Sequence, residues 1–221
     1  IEAALKEVVK IEGRIDLVVN NAGFGVAPGG AEESSIEQTK MMFDTNFFGI
    51  VRMTHAVVPY MRKQGEGRII NIGSILGLIP APYMATYAAT KHAVEGFSES
   101  LDHELRTRGI RVSVVEPSYT NTQFEANAPE VDAKLDEYNI ARKALAKLIK
   151  IAVAGGDDPK VVANVVLKAA NAKHPKLRYA AGKLATRLSM LRRFAPAALV
   201  DSGIRKEMKL DSLNKIASQT S

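Results

Sequence analysis

The chain has 221 residues, of which 46% are hydrophobic and 24% charged, and its formal net charge is +6. This composition is typical of a globular chain with a substantial core, and we predict a single domain over residues 1–221. The chain has no cysteine, which excludes disulfides and cysteine-ligated metals and fits a reducing cytoplasm, the location we expect. No stretch approaches the ~18 apolar residues of a membrane-spanning helix.

The first elements predicted along the chain are a helix over 1–12 and an apolar strand at 15–20. Nothing in the sequence caps the beginning of this helix. An apolar strand without a neighbour on one side would form an exposed edge that invites aggregation. We therefore expect that residues preceding Ile1 exist in the natural protein and supply further strands.

Three more apolar runs predict strands at 68–73, 111–116 and 177–181. The intervals between the strands are long enough for helical crossovers. Two helix starts lie in these intervals: Ser34-Ser35-Ile36-Glu37 resembles a capped start, and Asp157-Asp158-Pro159 places proline in a first turn. The sequence therefore predicts an α/β fold with a doubly wound parallel sheet and helices on both faces.

The strand at 68–73 leads into a group of residues that could transfer a proton. It ends at Gly73-Ser74, and a helix is predicted to begin near Tyr87. Tyr87 and Lys91 are four residues apart and share one helix face. A nearby ammonium favours the phenolate and would pull the pKa of Tyr87 toward neutrality, so that Tyr87 could act as a general acid or base at a C–O centre. Ser74 could hydrogen-bond the same oxygen.

Tyr179 and Lys183 have the same spacing and show that spacing alone is weak evidence. Thirteen residues before Tyr87 stands Ser74, whereas thirteen residues before Tyr179 stands Val166. We predict that Tyr179 is a core residue of the last strand. The four histidines show no metal-ligand spacing, and we predict no metal site.

Small and polar residues follow two other predicted strands. Asn20-Asn21-Ala22-Gly23 follows the strand at 15–20, and Pro117 to Thr122 follows the strand at 111–116. In an open parallel sheet, ligands bind outside the carboxyl ends of the strands. We therefore expect these segments and Ser74 to lie on one rim, with Asn46 reaching it from the helix that starts near Ser35.

These motifs, in this order and at these spacings, resemble those of the short-chain dehydrogenase/reductase family. The resemblance implies a Rossmann-like fold and an NADP- or NAD-dependent oxidoreductase that interconverts an alcohol and a carbonyl on a small-molecule substrate. It also implies a homodimer or homotetramer, paired through the helices that carry Asn46 and Tyr87. The glycine-rich cofactor loop with which family members begin is absent from this sequence, and with it the residue that distinguishes NAD from NADP.

Residue by residue, the resemblance implies two overlapping sets. Tyr87 would be the general acid/base, and Asn46 would hold a water linked to Lys91 in a proton relay. The catalytic set is Asn46, Ser74, Tyr87 and Lys91. The cofactor-binding set is Asn20, Ala22, Gly23, Tyr87, Lys91, Pro117, Ser118, Thr120 and Thr122. Ser118 stands where the family usually has glycine, so a position that needs a positive φ there would be strained.

The net charge of the last third of the chain is opposite in sign to that of the rest. Residues 1–140 carry a net charge of −6 and residues 141–221 a net charge of +12. Residues 123–156, mostly helical by pattern, are interpreted as a substrate lid, or else as a packing helix pair. Within the basic extension 183–221, residues 183–194 predict a basic amphipathic helix, which could lie on an anionic membrane or an acidic partner. We favour a packed helix with a solvated basic face, and we predict no nucleic-acid binding because a recognition motif is lacking.

A second hypothesis remains open at this stage. The chain could be a catalytically silent relative that serves as a binding or scaffolding module, with the basic helix as a membrane-surface contact. Thermal stabilisation by a nicotinamide nucleotide separates the two hypotheses, because a ligand that binds only the folded state raises its stability.

Overall fold

The structure, a computed structural model, describes residues 1–210. One sheet of four parallel strands has the order β1-β2-β3-β4. The strands are Leu17–Asn20 (β1), Gly67–Ile72 (β2), Ile110–Pro117 (β3) and Arg178–Ala181 (β4). The four strands predicted from the sequence and their parallel direction are confirmed, with small shifts at their ends.

Helices connect and cover these strands. A π-helical turn at Asp44–Phe48 joins α2 to α3. The α-helices are α1 (Glu2–Glu12), α2 (Ile36–Phe43), α3 (Gly49–Gln64), α4 (Ala85–Arg106), α5 (Asn139–Ala154), α6 (Pro159–Asn171), α7 (Lys183–Phe194) and α8 (Ala197–Glu207). Both predicted helix starts are confirmed: the side chain of Ser35 accepts a hydrogen bond from the Gln38 N–H, and that of Asp158 accepts one from the Lys160 N–H.

The two faces of the sheet have separate cores. Ile69 and Ile70 are neighbours on β2 and therefore point to opposite faces. Ile69 packs with side chains of α1, α3 and α4, whereas Ile70 packs with side chains of α6 and β4. Helices on both faces make the sheet doubly wound, as predicted. Tyr179 is buried in the Ile70 core, which confirms its prediction as a core strand residue.

The basic extension begins directly after β4. Helix α7 spans the residues that the sequence pattern predicted, and α8 follows it. Residues 211–221, the end of the predicted extension, lie outside the described residues. Within residues 1–210, every helix is too short or too polar to cross a bilayer.

Candidate active site

The carboxyl ends of β1, β2 and β3 bring the predicted site segments to one rim. β1 ends at Asn20, β2 at Ile72 and β3 at Pro117. The N–H of Gly73 donates to the carbonyl of Val115 at 2.8 Å, so the turn that carries Ser74 is fixed to β3. Parallel register alone dictates this convergence, because all strand ends of one direction meet at the same edge.

Lys91 is held beneath this rim. Lys91 is 6% exposed, and its ammonium donates to the carbonyl of Ile72 at 2.9 Å. Burial lowers the pKa of Lys91 to about 8, and the nearby Glu95 opposes the shift. Lys91 therefore loses its proton much more readily than an ordinary lysine.

Tyr87 lies one turn earlier on α4 and is 9% exposed. Burial raises its pKa, Glu125 adds to the rise, and the Ser74 hydroxyl opposes it. The expectation that Lys91 would pull the pKa of Tyr87 down is wrong for this structure. The Lys91 nitrogen lies 5.7 Å from the centre of the phenol ring and its hydrogen bond goes to Ile72, so desolvation determines the direction of the shift.

Ser74 occupies the turn between β2 and α4. Its hydroxyl accepts a hydrogen bond from the Leu76 N–H at 3.1 Å and caps a short 3-10 helix at Ile75–Gly77. That bond leaves the hydroxyl proton available, and hydrogen bonding by the Ser74 side chain opposes the rise in the pKa of Tyr87. Ser74 and Tyr87 can therefore act on one oxygen atom.

Asn46 is 1% exposed and connects three segments of the site. Its amide accepts from the Phe24 N–H at 2.9 Å and donates to the Phe24 carbonyl at 2.8 Å and to the Thr90 hydroxyl at 3.2 Å. A side chain at Gly23 would have its Cβ 3.1 Å from the Asn46 oxygen, so a larger residue there would press on the Asn46 amide. The π-helical turn widens the helix at Asn46 and aims it at this loop.

Thr90 is a site residue that the sequence analysis missed. Its hydroxyl is fully buried, receives the Asn46 amide and donates to the Tyr87 carbonyl at 2.8 Å. It thereby connects Asn46 to the helix turn that carries Tyr87 and Lys91. Its position three residues after Tyr87 was the available signal, since i and i+3 share a helix face.

The remaining predicted cofactor residues are divided between the rim and the sheet. The Asn20 amide donates to Asn71 at 2.8 Å within the sheet. The hydroxyl of Thr120 donates to the Ser118 carbonyl at 3.1 Å, and that of Thr122 accepts from the Phe124 N–H. Pro117 closes β3 beside Ala181, and Ala22 lies in the loop after β1.

Ser118 does not adopt the conformation that would favour glycine. Among the described residues, only Tyr83 and Lys209 are non-glycine residues with positive φ. Serine at position 118 is therefore unstrained. Among the described residues, its buried hydroxyl oxygen has no hydrogen-bond partner, so Ser118 places an unsatisfied polar atom at the rim.

Comparison with known proteins shows the family of the chain. The family model described as short chain dehydrogenase matches residues 1–133. This chain belongs to the short chain dehydrogenase family. Among curated relatives of the family, the 3-ketodihydrosphingosine reductase of Bacteroides thetaiotaomicron is 37% identical over 186 residues, covering 83% of this chain and 69% of the relative.

Solved structures of short-chain dehydrogenases share the fold. One from Streptomyces avermitilis superposes with a TM-score of 0.74 at 28% identity, covering all of this chain and 76% of its own. A short-chain dehydrogenase/reductase from Burkholderia phymatum in complex with NAD gives a TM-score of 0.69 at 27% identity, covering 80% of this chain and 65% of its own.

In this short-chain dehydrogenase, the segment after β3 covers the phenol. The ring centres of Phe124 and Tyr87 are 5.8 Å apart. The surrounding side chains are apolar: Val26, Met42 and Val131, with Phe24, Leu76 and Met84 beside them. The expectation that 123–156 is mostly helical is only half right, because 123–135 forms no helix and α5 begins at Asn139.

The non-helical half of this segment is instead fixed by the loop before α2. Glu33, fully buried, pairs with Arg142 and accepts from the N–H groups of Gly30 and Leu135 at 2.8 Å each. Its backbone carbonyl accepts from the Ala133 N–H at 2.8 Å. The N–H groups of Ala133 and Leu135 thus have hydrogen-bond partners without forming a helix. Tertiary contacts therefore outweigh the helical sequence pattern of this segment.

A second group that the sequence analysis missed lies below Lys91. Glu95 and Glu116 are buried around Arg178, whose Nε lies 2.9 Å from Glu95 and 3.5 Å from Glu116. Burial raises the pKa of Glu116 to about 8, and the charge of Glu95 adds to the rise. A carboxyl group with a pKa of about 8 is mostly protonated at neutral pH, so Glu116 adds little negative charge beside Glu95.

Proposed function

We propose that the protein is an NAD(P)-dependent oxidoreductase that interconverts an alcohol and a carbonyl, with Tyr87 as general acid/base. The single observation that carries this proposal is the grouping of Tyr87, Ser74 and Lys91 on the rim, with Asn46 bonded to the turn between Tyr87 and Lys91. Structural neighbours and relatives of the same family that are named as reductases or dehydrogenases support it.

The residues of the rim fit a nicotinamide cofactor. Within residues 1–210, Lys91 makes one hydrogen bond although an ammonium can donate three, and the buried Ser118 hydroxyl has no partner. Gly23 permits close backbone approach. We propose that Lys91, Gly23, Ser118 and Thr120 hold the cofactor, as the NAD complex of the Burkholderia relative supports. When bound, the cofactor supplies or accepts the hydride at the substrate carbon.

The chain's own residues move the proton. In the reducing direction, the substrate carbonyl gains a hydride at carbon, and its oxygen takes the proton of the Tyr87 hydroxyl while Ser74 holds that oxygen. The raised pKa of Tyr87 keeps the phenol protonated at neutral pH, which suits a proton donor. Lys91 has a pKa of about 8, close to neutrality. It is therefore the group best able to return a proton to Tyr87. In the oxidising direction the same steps reverse.

We propose that the substrate is lipophilic. The space beside Tyr87 has Val26, Met84 and Val131 in its wall, together with small residues and the hydroxyl residues Ser34 and Thr86, and Phe124 covers the ring. Burial against apolar side chains contributes roughly 0.8 kcal/mol of binding free energy for each substrate CH2 group that is removed from water. The relative named 3-ketodihydrosphingosine reductase supports a carbonyl on a long chain. Residues 123–156 would act as the lid that excludes water from the reacting atoms.

The test is reduction of a homologous series of ketones by the purified protein with NADH and with NADPH. We expect turnover with one or both cofactors, and kcat/KM should increase with chain length. A cofactor-dependent rise in Tm together with turnover supports the enzyme. Absence of both would favour the silent binding module, and turnover limited to short polar ketones would contradict the lipophilic substrate.

We also propose a homodimer or homotetramer in the cytoplasm. Aromatic side chains on the helices that carry Asn46 and Tyr87 support the pairing: the ring centres of Phe47 and Phe97 are 5.7 Å apart, and Phe48 beside them is 47% exposed. Apolar surface of this kind is typical of protein interfaces.

A further inference from the structure

The solvent face of α7 carries both cations and large apolar side chains. Lys183, Arg187, Met190, Leu191 and Phe194 recur at helical spacing and therefore share one face. All five are exposed, Met190 by 56% and Phe194 by 67%. The opposite face of the helix is anchored by Ala185, which is fully buried. Within residues 1–210, a helix that is fixed by one face and presents large apolar side chains on the other has an unpartnered surface.

The exposed face continues onto α8. Leu199, near the start of that helix, is 66% exposed. The ring of Phe194 is covered on one side by the guanidinium of Arg193, 5.3 Å from its centre. Basic and apolar side chains are thus interleaved along the surface formed by α7 and the first turn of α8, which we call the α7–α8 surface.

The charge around this surface is mostly positive. Residues 139–210 contain sixteen lysines and arginines against four acidic residues, Asp157, Asp158, Asp201 and Glu207, and α7 contains no acidic residue. Within residues 1–210, Lys183, Arg187 and Arg192 form no ion pair. The cations are therefore uncompensated, and a partner of opposite charge would satisfy them.

We propose that the α7–α8 surface docks onto an anionic lipid bilayer. Apolar side chains that alternate with cations match the boundary of a bilayer, where acyl chains lie directly beneath anionic headgroups. A second copy of the chain is disfavoured, because two such surfaces would bring like charges together. An acidic protein would neutralise the cations, but charge alone does not account for five large exposed apolar side chains: Leu184, Met190, Leu191, Phe194 and Leu199.

Docking in this way would bring the catalytic rim close to the lipid. Helix α7 packs against the short helix Ile75–Gly77 that follows Ser74. Glu207 of α8 lies near Tyr119 in the loop after β3, where it contributes to the electrostatic environment of the phenol. A lipophilic substrate could then reach the site from the membrane. The docking surface itself does not depend on the proposed reaction.

The first test is co-sedimentation of the intact protein with lipid vesicles. We expect weak binding to phosphatidylcholine alone and at least tenfold tighter binding when part of the lipid is phosphatidylglycerol. High salt should weaken the binding to anionic vesicles. Equal binding to the two kinds of vesicle would overturn the proposal.

A charge-matched pair of variants locates the surface. K183Q/R187Q/R193Q removes three charges from α7, and K160Q/K168Q/K173Q removes three exposed charges on and beside α6. At about 1 kcal/mol for each cation near the headgroups, the α7 variant should bind anionic vesicles about a hundredfold less tightly. The α6 variant should lose far less, and equal losses would contradict docking through α7.

A single fluorescent reporter distinguishes a bilayer from an acidic protein. The chain contains no tryptophan, so F194W adds one reporter at an exposed position without depending on the charge variants. We expect brominated anionic lipids to quench its fluorescence, because the side chain enters the acyl boundary. Unquenched fluorescence on bound vesicles, or equally tight binding to soluble polyglutamate, would show that the surface serves an acidic partner and would overturn the proposal.

Discussion

The ring of Phe124 lies 5.8 Å from the ring of Tyr87, at an interplanar angle of 60°. Phe124 belongs to the non-helical segment after β3, and Tyr87 belongs to α4. Their contact couples the position of that segment to the exposure of the phenol. Since burial is the main reason why the pKa of Tyr87 is raised, the covering segment also controls the protonation of the proposed acid.

F124A tests this coupling. Removing the ring should expose the phenol and lower the pKa of Tyr87, so that the alkaline limb of kcat/KM moves to lower pH. F97A is the matched control, because Phe97 packs against Phe47 away from the phenol. The pH profiles of both variants and of the wild type should be measured together. An alkaline limb that does not move in F124A would show that Phe124 does not determine the environment of Tyr87.

R142A tests the attachment of the covering segment. The change leaves the buried Glu33 carboxylate with the Gly30 and Leu135 N–H groups as its remaining partners. Removing one partner of a buried ion pair costs about 3 to 5 kcal/mol. We expect a comparable loss of unfolding free energy and a rise in KM that exceeds the fall in kcat. K143A removes the neighbouring exposed cation, and an equal loss in that control would rule out a specific role for the Glu33–Arg142 pair.

E116Q tests the buried carboxyl pair through the pH dependence of stability. The folded pKa of Glu116 is about 8 and its ordinary value is 4.5, so between these values the folded state binds more protons than the unfolded state. Stability from this group is therefore complete below pH ~4.5 and is lost as pH rises toward 8. Glutamine stays neutral at all pH. The unfolding free energy of E116Q relative to that of the wild type should therefore increase by roughly 2 to 4 kcal/mol across this range.

Chemical denaturation at several pH values measures this difference. The control is E99Q, which removes a carboxylate from the same arginine at the surface, where Arg178 donates to Glu99 at 3.0 Å. A relative gain that appears in both variants, or in neither, would contradict a raised pKa that is specific to the buried Glu116.

The sequence predicted the elements that depend on local pattern. Strand runs such as 68–73 and helix caps such as Asp158 are encoded in adjacent residues, and the motif spacing located Ser74, Tyr87 and Lys91. The parallel direction of the strands was predicted from the length of the segments that connect them. These features need no knowledge of long-range contacts.

Other features depend on residues far apart in the chain. Glu116 and Arg178 are 62 positions apart and meet only when β3 pairs with β4. The segment after β3 has a helical sequence pattern but forms no helix before α5, because Glu33 binds its backbone. The pKa of Tyr87 was predicted in the wrong direction, because spacing reveals that Lys91 is near but not that both side chains are desolvated.

Sedimentation velocity tests the proposed oligomer. We expect the wild type to sediment as a dimer or tetramer, and F48S, which removes an exposed aromatic side chain near the Phe47–Phe97 contact, should shift the protein toward monomer. I36S removes an apolar side chain of α2 that is 64% exposed and should leave the sedimentation unchanged. A wild-type monomer at working concentrations would contradict the proposal.

The most direct measurement compares the turnover of Y87F and Y179F. Both tyrosines are buried and each stands four residues before a lysine, but only Tyr87 lies beside Ser74. We expect Y87F to lose at least about a thousandfold in kcat while largely keeping its affinity for the cofactor. Y179F should keep its turnover and lose only about 1 kcal/mol of stability, because its oxygen accepts one hydrogen bond, from the Lys176 N–H. Substantial turnover in Y87F would contradict the assignment of Tyr87 as the acid/base.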